Sequence, residues 1–118
     1  MYSPQLLDHF DHPRNPGEVS NPDASVQIEN PACGDILKLT LRTENGCITE
    51  IRFRAKGCVP AMACASLVTE LVQGKSLEEA SQLQREELVR AIGGLPEAST
   101  HASHLAMEAL EEALGQLR

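Results

Sequence analysis

The chain contains no tryptophan, one tyrosine and two phenylalanines, so a core drawn from it must be built of Leu, Ile, Val and Ala. It also lacks any apolar run of about 18 residues, which excludes a membrane-spanning helix. The N-terminus, Met1-Tyr2-Ser3-Pro4-Gln5 followed soon by Asp8, His9 and Asp11, has no basic start leading into an apolar stretch. It is therefore not expected to be a signal peptide, and the protein is expected in the cytoplasm. There is no excess of positive charge: the formal net charge is -7 and the pI is near 5.0. Binding to nucleic acid needs a basic surface, so DNA and RNA are not expected partners. No Gly-x-Ser-x-Gly elbow and no phosphate-cradling glycine loop occur, and nothing in the sequence supplies a substrate pocket for a Cys–His nucleophile.

What is present fits one domain over residues 1–118, with 42% hydrophobic residues. Ser3 and Pro4 predict a short helix over residues 3–10, capped by the serine and opened by the proline. The breaker-rich stretch Asp11 to Gly17 and Asn21-Pro22-Asp23 predict loop. Three strands follow by their period of two. Val26 and Ile28 alternate with polar neighbours in the first, and Leu37, Leu39 and Leu41 share a face in the second. In the third, Cys47, Thr49, Ile51, Phe53 and Ala55 alternate with Ile48, Glu50, Arg52 and Arg54. Asn45-Gly46 predicts a hairpin between the second and third. Pro60 opens a largely buried helix to about Gln73, closed by Gly74. Ser76 with Glu79 reads as a capping box, residues 84–92 as a further helix, and 97–116 as a last one with Ala102, Leu105, Ala106, Ala109, Leu110, Ala113, Leu114 and Leu117 in one stripe. The fold class is α+β: a small three-stranded antiparallel sheet covered by helices, with a long C-terminal helix.

In a reducing compartment the four cysteines (Cys33, Cys47, Cys58 and Cys64) read as thiols rather than two disulfides. Three junctions carry chemistry. Cys33-Gly34-Asp35 can aim a thiolate and a carboxylate at one metal, although a turn with a packed cysteine accounts for the same spacing. Cys58 precedes a helix N-terminus, where the dipole and free N–H groups favour thiolate. Ser99 is a candidate N-cap that places His101 in the first turn of the last helix, at the edge of its core-facing side. His104, towards Glu108 and Glu111, reads as solvated. Cys33, Asp35, Cys58 and His101 together make a four-ligand set for Zn²⁺ or a [2Fe–2S] cluster. Spacing alone cannot bring them together. Cys64 lies inside a helix, where burial is the usual fate of a thiol, and is an auxiliary ligand only if the helix turns it to the site.

These motifs resemble the NifU/IscU family of iron–sulfur cluster assembly scaffold proteins. The resemblance runs from Tyr2 and Asp8-His9-Phe10 through Pro13-Arg14-Asn15-Pro16-Gly17, Asn30-Pro31-Ala32-Cys33-Gly34-Asp35 and Gly57-Cys58 to Gly74-Lys75-Ser76, Leu95-Pro96 and His101. It implies a scaffold and carrier rather than an enzyme. Such a scaffold takes sulfur from a cysteine desulfurase, gathers iron, builds a [2Fe–2S] cluster and passes it to apo iron–sulfur proteins. By position it implies Cys33, Asp35, Cys58 and His101 as ligands. Two departures stand out. The cysteine that usually follows the histidine is Ala102, and an alanine methyl neither binds iron nor carries a persulfide. The Leu-Pro-x-x-Lys segment, read by an Hsp70-type chaperone in some members, is Leu95-Pro96-Glu97-Ala98-Ser99, which lacks the lysine and weighs against that handoff. The spacing from Cys58 to His101 leaves no room for the insertion of the SufU branch. The variant sequence also admits a zinc-binding or regulatory relative, which binds a desulfurase without building clusters, and a sulfur acceptor using Cys58 or Cys33.

Overall fold

A computed structural model describes residues 1–31 and 34–117. The elements run α1 (Pro4–Asp11), β1 (Ala24–Asn30), β2 (Asp35–Glu44), β3 (Cys47–Lys56), α2 (Val59–Val72), α3 (Leu77–Ser81), α4 (Arg85–Ala91), a 3₁₀ turn (Glu97–Ser99) and α5 (Thr100–Gly115). The strands form one antiparallel sheet in the order β1-β2-β3. One face carries Leu37, Leu39 and Leu41 of β2 with Val26, Ile28, Ile51 and Phe53 beside them, all buried. Helices α2 and α5 pack over the sheet and against one another. α2 is buried around most of its circumference, as its small and aliphatic residues require.

Several ends follow from local chemistry. The Ser3 side chain accepts the Leu6 N–H and caps α1, and Ser76 with Glu79 forms a reciprocal capping box at α3. Asn45 and Gly46 take φ of 54° and 76°, the pair of positive values that a tight two-residue hairpin needs.

The third strand departs from the simple alternation. Ile51 and Phe53 face the core as expected, but Ile48 is fully buried while Thr49 is exposed. The register explains it: Arg42 lies opposite Glu50 and Thr43 opposite Ile48. Thr49 is therefore an extra residue, a bulge that reverses the phase of everything before it. Its hydroxyl donates to the Arg42 carbonyl at 3.2 Å.

The loop after α1 is held by buried polar contacts. His9 is 5% exposed, with Nδ1 2.8 Å from Ser66 Oγ of α2 and Nε2 3.4 Å from the Glu70 carboxylate. The Arg14 backbone N–H donates to the same Ser66 Oγ at 2.8 Å. With a carboxylate at Nε2, the neutral ring keeps its proton there and accepts the Ser66 hydroxyl at Nδ1. Burial, and then the Arg14 guanidinium, hold the His9 pKa below its usual 6.5. A base with a depressed folded pKa favours folding in its neutral form. Its contribution is complete above the unfolded pKa and falls away as pH drops through and below it. The melting temperature is expected to decline from about pH 7.5 to about pH 5.5, with a shallower slope in His9→Gln. Equal slopes in the two proteins would remove His9 from this role.

Candidate metal centre

The register of the sheet assembles most of the site. Ile36 of β2 lies opposite Lys56 of β3. The residue before the first, Asp35, and the residues after the second, Gly57 and Cys58, therefore meet at the same end of the sheet. Cys58 is the N-cap of α2 but makes no side-chain capping bond, which leaves its thiol to the site. The α2 dipole there favours its thiolate. His101 is the second residue of α5, which packs on β1, β2 and α2. Ser99 does occupy the N-cap of α5, yet its side chain does not cap, and residues 97–99 form the 3₁₀ turn instead of the first α-helical turn.

Asp35, Cys58 and His101 converge, with one donor atom from each within 4.8 Å of the others. Asp35 Oδ2 is 3.3 Å from His101 Nε2, and the Cys58 thiol donates to the same oxygen at 3.5 Å. Cys58 Sγ and His101 Nε2 are 3.6 Å apart. The carboxylate is 1% exposed, Cys58 is half-buried and the imidazole is 30% exposed. A carboxylate removed from water needs partners, and Asp35 has the Cys58 N–H at 3.0 Å as well as the imidazole.

The triangle can be tested against an ion. Tetrahedral zinc with Zn–S near 2.3 Å and Zn–N and Zn–O near 2.1 Å places its donors about 3.4–3.6 Å apart. The observed 3.3, 3.5 and 3.6 Å match that spacing. The three donors thus fit one ion with a fourth position left for another ligand. In a [2Fe–2S] cluster each iron already binds two sulfides, and four protein ligands divide two to each iron. Three donors around one point cannot all serve one such iron, so one of them must move to its neighbour.

Cys33, the fourth expected ligand, lies outside the described residues. Cys64 is fully buried in the core, and burial above all, with Cys58 nearby, pushes its pKa up to about 12. It is not one of the converging donors. Ala102 is also fully buried, and His104 is exposed. His101 also borders a shallow pocket of about 230 Å³ shared with Asn30, His104 and Glu108.

Residues 1–118 match the family described as the NifU-like N terminal domain. The chain belongs to that family. This NifU-like chain is 39% identical over 114 residues to the iron-sulfur cluster assembly scaffold protein IscU 1 of Archaeoglobus fulgidus, covering 97% of the chain and 74% of that relative. It is 38% identical over 121 residues to the IscU scaffold protein of Escherichia coli, covering 99% and 94%. Its fold matches the crystal structure of a nitrogen-fixing NifU-like protein (N-terminal) from Brucella abortus with a TM-score of 0.81, over 98% of this chain and 92% of that one, at 16% identity. The expected α+β class, with its three-stranded sheet and long C-terminal helix, is the fold observed.

Proposed function

We propose that this NifU-like chain is an iron–sulfur cluster assembly scaffold. It works as one domain that holds a [2Fe–2S] cluster, or Zn²⁺ in its place, through Cys33, Asp35, Cys58 and His101. The observation that carries the reading is the convergence of a thiol, a carboxylate and an imidazole from three separate parts of the chain. Its role is to hold and pass on cargo rather than to turn over a substrate, and cysteines kept as thiols suit a cytoplasmic setting. A cysteine desulfurase supplies sulfur. The thiolate of Cys58 or Cys33 attacks the outer sulfur of the desulfurase persulfide, the S–S bond breaks, and the desulfurase leaves as its own thiolate. Apo iron–sulfur proteins receive the finished cluster. With Ala102 where relatives place a cysteine, the cluster has one thiolate fewer to hold it.

A zinc-holding relative that binds a desulfurase without building clusters is the second reading. The donor triangle favours it, because three donors around one point suit a single ion. One experiment separates the two. Anaerobic reconstitution with iron and sulfide should give the visible absorption of a [2Fe–2S] cluster at about two irons per chain, and the product should restore an apo-ferredoxin. Zinc uptake without any cluster band selects the second reading. A chain that binds neither metal overturns both.

A further inference from the structure

Gly57 joins Lys56, the last residue of β3, to Cys58, the N-cap of α2. Its φ of +145° is a conformation that side chains disfavour. A Cβ added to it would lie 2.0 Å from Asp35 Oδ1, 2.8 Å from Asp35 Cγ and 3.0 Å from Asp35 Cα. Neither the carboxylate nor the backbone behind it leaves room for a methyl group. The same Oδ1 accepts the Cys58 N–H at 3.0 Å. The other oxygen, Oδ2, faces Cys58 Sγ and His101 Nε2. The two oxygens of one buried carboxylate therefore have separate partners: backbone for the first, the donor triangle for the second.

The geometry points to Gly57 as a positioning residue for the metal centre: its missing side chain is the slot that seats Asp35 Oδ1 on the Cys58 N–H, so that Asp35 meets an ion through Oδ2 alone. This rests on the reading of Asp35, Cys58 and His101 as ligands. A carboxylate pinned by one oxygen takes a single coordination place, whereas one free to rotate can take two. Pinning also fixes the carboxylate before the ion arrives, the role played by outer contacts around metal ligands, whose loss usually lowers affinity ten- to hundredfold.

The test uses the full chain with Co²⁺ as probe, read by its thiolate-to-metal charge-transfer band, and NMR amide exchange of the metal-free protein. Gly57→Ala should lower Co²⁺ affinity roughly ten- to hundredfold, and should add no further loss in an Asp35→Asn background. The Cys58 amide should exchange slowly in the parent and faster in both Gly57→Ala and Asp35→Ala. An equal loss of Co²⁺ affinity with and without the Asp35 carboxylate overturns the proposal, because the glycine then acts on Cys58 directly. A Cys58 amide that exchanges as fast in the parent as in Asp35→Ala overturns it too, even if Gly57→Ala does not fold. Absence of Co²⁺ binding in the parent sinks the metal-centre reading, while the amide exchange still decides whether the slot exists.

Discussion

Cys58→Ala should lower zinc affinity by roughly two to three decades while leaving the metal-free protein close to its original stability. Structural zinc sites bind with about 10–16 kcal/mol shared among four ligands, so one ligand carries about 2.5–4 kcal/mol, and each 1.4 kcal/mol is tenfold. The fold loses little, because the Cys58 side chain is half-buried and its thiol does not cap α2. Its backbone N–H, which holds Asp35 Oδ1, survives the substitution. Competition with a chelator gives the affinity, and a melt in excess chelator gives the stability. Unchanged affinity would remove Cys58 from the ligand set.

Cys64→Ala gives the opposite result. Its sulfur is fully buried in the core, and a thiol whose pKa is pushed up to about 12 has almost no thiolate near neutrality. Its loss should cost on the order of 1 kcal/mol of stability and leave zinc affinity unchanged. The two cysteines sit six residues apart around the start of one helix. Exposure and the helix terminus separate their chemistry, not residue type.

How far the sequence reaches follows from the range of the forces involved. Helix starts at Ser3 and Ser76, and the hairpin at Asn45-Gly46, are set by contacts three or four residues away, so they can be read directly. The phase of β3 before Glu50 cannot, because the bulge at Thr49 depends on the partner strand. Nor can the pairing of His9 with Ser66, 57 positions apart, which needs α1 already docked on α2. Asp35, Cys58 and His101 stood out as residue types at junctions and by family resemblance. Their meeting is a property of register, with Ile36 opposite Lys56, and of where α5 lies. Gly57 was visible as part of Gly57-Cys58, but its reason is the Asp35 oxygen that fills the place of its side chain. The fold class needed only periodicity, whereas the site needed contacts between distant segments.

Because register builds the site, damage to the sheet and damage to the site should be separable. Leu39 is fully buried at the middle of the central strand, opposite Val26 on one side and Phe53 on the other. Leu39→Ala removes its contacts and leaves a cavity between the sheet and the helices packed on it. The expected loss is about 2–5 kcal/mol, a large share of the roughly 5–15 kcal/mol that holds a domain folded. The melting temperature should fall by on the order of 10 °C. Asp35, Gly57 and Cys58 lie beyond the Ile36–Lys56 pair, at the end of the sheet, and keep their geometry in the folded fraction. Zinc at about a hundred times the parent's dissociation constant should therefore stabilise the parent and Leu39→Ala by the same increment, about 2.7 kcal/mol, and Cys58→Ala by less than about 0.5 kcal/mol. Denaturant unfolding with and without zinc measures all three. If zinc stabilises Leu39→Ala much less than the parent, the sheet centre and the metal centre are one cooperative unit, and the separation argued from register fails.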